Sequence, residues 1–313
     1  MTAPRVVCLV GPTASGKTSL AIDLAETLGG EIVSADSRQV YRRMDIGTAK
    51  PTPDERRRVQ HHCLDLIEPA DFFDAARFRD AAAQVMEDVC ARGRVPLVAG
   101  GTGLWVRVLL RGLCPAPPRA PAVRAALRAL AARRGVGELH RHLAAIDPTA
   151  AARLHPRDTV RVERALEVAF ASGRRLSEWQ AAHRFADAPY DALVVGLALE
   201  TSDLDARIEA RARRMVAAGF ADEVRRLRAS GLADTAPAWA SVGYREMREH
   251  VDGTRDLDSA IAALVLGTRR FARRQRIWFR GEPGILWRHP VRDRERVLSE
   301  AAAFLARGER PAA

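Results

Sequence analysis

Gly11-Pro12-Thr13-Ala14-Ser15-Gly16-Lys17-Thr18 is the stretch on which the fold of this 313-residue chain turns. It fits the pattern G-x-x-x-x-G-K-[ST]. The apolar run Arg5–Val10 precedes it and reads as a buried strand. Leu20, Leu24 and Leu28 follow at four-residue spacing, a helix stopped by Gly29-Gly30. In this strand–loop–helix setting the glycines let backbone N–H groups converge on phosphate oxygens, with the helix N-terminus adding positive potential. Lys17 reaches an outer phosphate and the Thr18 hydroxyl suits Mg2+. The competing reading is an incidental glycine-rich turn. Lysine argues against it: only Lys17 and Lys50 among 50 basic residues are lysines, the rest being arginine.

Outward from this loop, strand and helix alternate. Glu31–Ala35 is a short strand ending at Asp36. Residues 75–92 carry Phe78, Ala82, Val85 and Val89 on one helical face, and Val95–Ala99 is a third strand entering Gly100-Gly101-Thr102-Gly103. The spacing predicts an α/β fold, a P-loop NTPase-like core with a mainly parallel sheet. Four prolines between Cys114 and Pro121 break the pattern and mark a boundary. From there to about residue 186 the chain reads as helical, with Asp147-Pro148 starting one helix and Gly173 closing another begun near Asp158. Strand character returns at 192–199, followed by a long helix capped by Ser202 or Asp203. A last strand at Ile285–Trp287 precedes a C-terminal helix. The expected organisation is a catalytic core of residues 1–117 and 188–313, interrupted by an all-helical insertion domain at 118–187.

Composition narrows the function. Hydrophobic residues make up 47% and charged residues 28%, the balance of a globular protein rather than a disordered one. No apolar run is long enough to span a membrane. The N-terminal stretch runs straight into a strand instead of a secretory signal, and the four cysteines lie far apart, so a cytoplasmic protein with reduced thiols is expected. The net charge of +11 calls for a polyanionic partner. Arg269, Arg270, Arg273, Arg274, Arg276 and Arg280 are interleaved with Phe271, Trp278 and Phe279 without an intervening acid. That density fits an RNA surface, or else an amphipathic helix with core aromatics and a solvated basic face.

Asp36 ends a strand beside the phosphate loop, at the sheet edge where open α/β folds bind ligands. Three roles stay open: a Mg2+ ligand, a general base, or a solvated strand-end carboxylate. No other apolar strand ends in a clear acid, which counts against a hydrolytic motor. Arg207 and Arg211 stand at i and i+4, on one helical face. His61-His62-Cys63 looks ligand-like, but no second cluster completes a metal site, so a turn or core role is expected.

The motifs carry a more specific likeness. The phosphate loop, Ser34–Tyr41, Met44–Pro51, His62–Asp65, Leu97–Gly103, Arg164–Val168, Ser241–Arg245 and Thr268–Arg276 stand in register along nearly the whole chain. The sequence closely resembles the bacterial tRNA dimethylallyltransferase (tRNA isopentenyltransferase) family. The resemblance implies transfer of a dimethylallyl group from dimethylallyl diphosphate to N6 of the adenosine 3′-adjacent to the anticodon (position 37 of tRNA). It implies Gly11 to Thr18 and Arg207 as the diphosphate site, with Lys17, Thr18, Mg2+ and Arg211 stabilising the leaving group. Asp36 matches the family's base and Thr102 a position lining the acceptor adenosine. Positions matching tRNA contacts are Asp36, Ser37, Arg38, Gln39, Thr102, Arg124, Val160, Arg161, Val162, Glu163, Arg164, Ala240, Ser241, Val242, Gly243, Tyr244 and Arg245. In that role Arg124, Arg161, Arg164 and Arg245 are phosphate contacts and Tyr244 a stacking group. The implied partner is the tRNA anticodon stem-loop, met by a monomer.

A free-nucleotide prenyltransferase shares the core and base but leaves the insertion and the basic charge without a use. A small-molecule P-loop kinase leaves the basic surface unexplained. A non-catalytic RNA-binding module leaves the coupled phosphate loop and Asp36 unexplained.

Overall fold

The computed structural model describes residues 3–307 and divides into two compact units. One runs to Leu110 and resumes at Ala188; the other is Arg111–Asp187.

The first unit is built on a six-stranded sheet. Its strands are β1 (Arg5–Val10), β2 (Gly30–Ser34), β3 (His61–His62), β4 (Val95–Gly100), β5 (Asp191–Leu197) and β6 (Ile285–Arg288), in the order β3-β2-β4-β1-β5-β6. Every neighbouring pair is parallel. A parallel sheet is covered on both faces, which is why β1 is apolar from Val6 to Val10. Val6, Cys8 and Val10 enter one core with Phe78, Trp105 and Phe279. Val7 and Leu9 enter the other with Leu20, Leu24, Leu97 and Val297. The parallel arrangement brings the carboxyl ends of β1, β2, β4 and β5 to one edge. Residues 11–16, Asp36 and Gly101–Gly103 leave from it.

Two local readings change. Of His61-His62-Cys63, Cys63 is core as expected, whereas His61-His62 form a two-residue edge strand paired to Ile32 and Val33, and the His62 Nε2 lies 2.6 Å from Glu31 Oε2. The helix expected to be capped by Ser202 or Asp203 starts earlier, at Thr201, with Glu200 in the capping position. The Leu204 amide donates to the Glu200 carbonyl, which fixes that start, while Asp203 in the first turn complements the helix dipole.

The second unit has five helices among its described residues: Pro121–Arg134, Val136–Ile146, Pro148–Arg153, Thr159–Ser172 and Leu176–His183. Its own core is formed by Leu127, Leu139, Leu143, Val162, Ala165 and Leu166. Asp147 caps as the sequence predicts, accepting from the Ala150 amide at 3.0 Å. The proline-rich stretch does not lie outside this unit as a joint. Pro117 accepts a hydrogen bond from Arg164 and the Ala120 amide donates to Glu167, so the unit begins at Arg111 rather than 118.

Candidate active site

Between β1 and helix Lys17–Leu28 the chain wraps a tight loop. Gly16 sits at φ +93°, in the left-handed region that glycine occupies without strain. Lys17 is curled back onto the loop, donating from Nζ to the carbonyls of Gly11 (2.9 Å) and Pro12 (2.7 Å). Burial lowers its pKa to about 7, with Arg211 adding to the fall and the Asp36 carboxylate opposing it. Arg211 donates to Thr13 Oγ1 at 3.0 Å, and burial lowers its pKa too, although Asp36 again opposes. Arg207 comes from the same helix and its guanidinium faces Gly16. Ser15 Oγ is buried without a hydrogen-bond partner. Three cations, a helix N-terminus and an unpaired buried hydroxyl thus surround one small loop. The arrangement suits an anion with several oxygens. Thr18, in the first turn of the helix that follows the loop, and Asp36, at the end of β2, each carry a hard oxygen donor. Mg2+ needs few such donors from protein when phosphates and water complete its shell, so these residues fit it.

Asp36 follows β2 in a turn that its own side chain stabilises, its Oδ1 accepting from the Arg38 amide at 2.8 Å. Thr102 shapes the same turn from the β4 side. Its Oγ1 accepts from the Ser37 amide (3.0 Å) and lies 3.3 Å from Ser37 Oγ. The Thr102 hydroxyl therefore supports the loop that presents Asp36 rather than capping its own helix.

A cavity of about 170 Å³ joins the two loops. Thr13, Asp36, Arg38 and Arg211 form its polar end, while Ile208, Met215, Val242, Leu264 and Phe271 give it apolar walls. Ser241 lines it as well, with its Oγ buried and unpartnered. A polar head and an apolar wall in one chamber match an amphiphilic ligand.

The other residues singled out by sequence divide sharply. Arg38, Ala240, Ser241 and Val242 line the cavity. Gln39 is occupied internally: it accepts from Ser34 Oγ and donates to the Ala49 carbonyl at 3.0 Å. Tyr244 cannot stack on a base, because it is fully buried against Phe220 and its hydroxyl donates to Glu223 at 2.6 Å. Gly243 is the left-handed N-cap of the helix that holds it. Arg245 is exposed, beside Glu246 and Glu249.

In the second unit, Arg124 is not a phosphate contact in waiting. It makes a paired hydrogen bond to the fully buried Glu167 at 2.8 and 2.9 Å, and Arg164 donates to the same carboxylate at 2.7 Å. Burial pushes the Glu167 carboxyl up, but hydrogen bonds from Arg124, Arg164 and the Ala120 amide outweigh it and hold the pKa at about 2. Val162 is core and Glu163 pairs with Arg128 and Arg124, so Val160 and Arg161 are the exposed members of that segment.

Helix Leu257–Arg280 exposes Arg270, Arg273, Arg274 and Arg280, while Phe279 is core and the Arg107 guanidinium covers Trp278. Its aromatics therefore do not form an exposed stacking platform. Phe271 instead faces the cavity.

Three residues were given no site role by sequence reasoning, although Thr268 and Gln275 stand within the quoted Thr268–Arg276 motif. Glu223 accepts hydrogen bonds from the amides of Asp45, Ile46 and Gly47, pinning the loop before Lys50. Thr268 lines the cavity, and Gln275 bridges two loops. An acid on an amphipathic helix and a glutamine within an arginine run carry no sequence signal for these contacts.

The family model described as IPP transferase matches residues 39–282, and that for isopentenyl transferase matches residues 4–71. The chain is 53% identical over 291 residues to a tRNA dimethylallyltransferase of Anaeromyxobacter dehalogenans, covering 93% of this chain and 97% of that one. It is 48% identical over 300 residues to a tRNA dimethylallyltransferase of Geobacter metallireducens, covering 96% and 97%. Among solved structures, the full-length tRNA isopentenylpyrophosphate transferase of Bacillus halodurans is 36% identical with a TM-score of 0.71, 97% of each chain being covered. A eukaryotic dimethylallyltransferase acting on tRNA has a TM-score of 0.84 at 23% identity, over 99% of this chain and 81% of that one, and shares the fold.

Proposed function

Because this chain belongs to the IPP transferase family, we propose that it transfers a dimethylallyl group from dimethylallyl diphosphate to N6 of the adenosine beside the anticodon of tRNA. The observation that carries this reading is one cavity lined both by Thr13 and Arg211 of the anion site and by Asp36, with apolar walls beside them.

The diphosphate lies in the loop of residues 11–18. Lys17 leaves its two carbonyl partners for phosphate oxygens, and Arg211 and the loop amides take the remaining charge. As the allylic C–O bond breaks, negative charge grows on the diphosphate, and these fixed donors stabilise it. Mg2+ held through Thr18 supplies further neutralisation of that charge when bound. The adenine amine is a weak nucleophile, so its orientation governs the rate. Asp36 accepts a hydrogen bond from N6, aims the nitrogen at the allylic carbon and takes its proton as the N–C bond forms. Ile208, Met215, Leu264 and Phe271 enclose the prenyl group and keep water from it.

We read the enzyme as a cytoplasmic monomer. Its anticodon-stem contacts come from the exposed arginines of helix Leu257–Arg280 and from Arg161 and Arg245. No helix among the described residues is long and apolar enough to cross a membrane.

The test is mass spectrometry of tRNA nucleosides after incubation with enzyme, Mg2+, dimethylallyl diphosphate and unmodified tRNA, with AMP as a parallel acceptor. A dimethylallyl mass gain on the adenosine beside the anticodon, and none on AMP, is expected. Transfer to AMP alone overturns the tRNA reading.

A further inference from the structure

Leu264, Thr268, Phe271 and Gln275 follow one another at steps of four, three and four, so they share one face of helix Leu257–Arg280. The first three line the cavity. Gln275 is 6% exposed, and its carboxamide is spent on two separate loops. Oε1 accepts from the Thr13 amide at 2.8 Å, and Nε2 donates to the Gly101 carbonyl at 2.9 Å. Thr13 belongs to the anion loop. Gly101 leads into Thr102, which holds the Ser37 amide beside Asp36. The fit is close: a Cβ at Gly101 would collide with Nε2. One side chain from a third element thus ties the leaving-group loop to the loop system that carries the base.

Resting on the prenyl-transfer reading, we propose that Gln275 is a positioning residue: it sets the gap between the two loops, and so decides whether N6 or water takes the allylic carbon. A glutamine suits the task because one terminus must offer an acceptor and a donor at once without adding charge. A carboxylate there would turn lone pairs toward the Gly101 carbonyl. If the loops drift apart, N6 loses its line to the allylic carbon, and a misplacement of about 1 Å costs on the order of a hundredfold in rate. Water then competes. Its oxygen bonds the allylic carbon as the bond to diphosphate breaks and its proton passes to solvent, giving dimethylallyl alcohol and diphosphate.

The experiment uses the full chain with dimethylallyl diphosphate, Mg2+ and unmodified tRNA. It reads kcat, both KM values and the ratio of alcohol to prenylated tRNA. In Gln275→Met we expect both KM values within about threefold of wild type, kcat about tenfold to a hundredfold lower, and a several-fold higher alcohol ratio. Gln275→Glu keeps the acceptor for Thr13 and loses the donor to Gly101. It should behave alike at alkaline pH and recover relative to wild type on acidification, as a protonated carboxyl regains a donor. This second variant carries the test if thermal melting shows the first to be unfolded. Wild-type kcat with an unchanged ratio overturns the proposal, as does a parallel fall of transfer and hydrolysis, the signature of a structural role. Wild-type protein that prenylates no tRNA overturns the underlying reaction instead, and is seen before any variant is compared.

Discussion

Lys17 enters the reaction with a pKa of about 7, depressed mainly by burial, and an arriving diphosphate must raise it. The sign follows directly. Below about pH 7 the ammonium is already charged and binding costs no proton. Above it, each diphosphate bound draws a proton onto Lys17, so affinity falls with rising pH by up to about tenfold per unit. Titration calorimetry in buffers of different ionisation enthalpy should show proton uptake in that range, and Lys17→Met should abolish it. Asp36 shares the polar end of the cavity with Thr13 and Arg211. Asp36→Asn should keep tRNA binding and, at pH 6, diphosphate binding, while single-turnover transfer falls about a hundredfold or more. Normal turnover in that variant would remove Asp36 as the base. The strand–loop–helix around Gly11–Thr18 and the placement of Asp36 at a strand end were legible from spacing. The occupied state of Tyr244, Arg124 and Gln39 was not, because their partners Glu223, Glu167 and the Ala49 carbonyl are remote in sequence or carry no pattern.

The helix Thr159–Ser172 shows how one element serves two ends. Its buried side holds Glu167 between Arg124 and Arg164; its outer side shows Val160 and Arg161. Arg124→Ala leaves the buried Glu167 carboxylate to Arg164 and the Ala120 amide and should cost the helical unit about 1.5–3 kcal/mol, measured by chemical denaturation. Arg161→Ala should leave stability within about 0.5 kcal/mol and lower the salt dependence of tRNA binding by about one unit of slope. Equal stability losses in the two variants would contradict this division. Because the Glu167 pKa is held at about 2 against an ordinary value of 4.5, its contribution is complete above 4.5 and is lost as pH falls through 2. Strand and helix positions were mostly readable here and in the core, since buried parallel strands are continuous apolar runs and the helices carry caps such as Asp147 and Asp158. The two-residue strand His61–His62 was not, being too short for any periodicity.

Across the whole molecule the net charge of +11 is spent unevenly. Many arginines pair with carboxylates, such as Arg288 with Glu300 and Arg58 with Glu26, and so fix elements rather than bind a partner. The exposed arginines of helix Leu257–Arg280 belong to the surplus. Replacing Arg270, Arg273 and Arg280 together by glutamine should reduce the salt slope of tRNA binding by about two to three, with inorganic diphosphate affinity unchanged. An unchanged slope would move the RNA surface elsewhere. The two lysines divide in the same way. The Lys50 side chain is 1% exposed and holds the Tyr41 carbonyl, Asp45 and Asp65, whereas Lys17 is curled onto the loop of residues 11–16 with a depressed pKa. An amine-selective acylating reagent used near neutral pH should therefore modify a single side chain, Lys17. Peptide mapping should find that mark suppressed by inorganic diphosphate, which makes the arginine-for-lysine bias of this sequence a built-in handle for covalent inhibitors of the donor site.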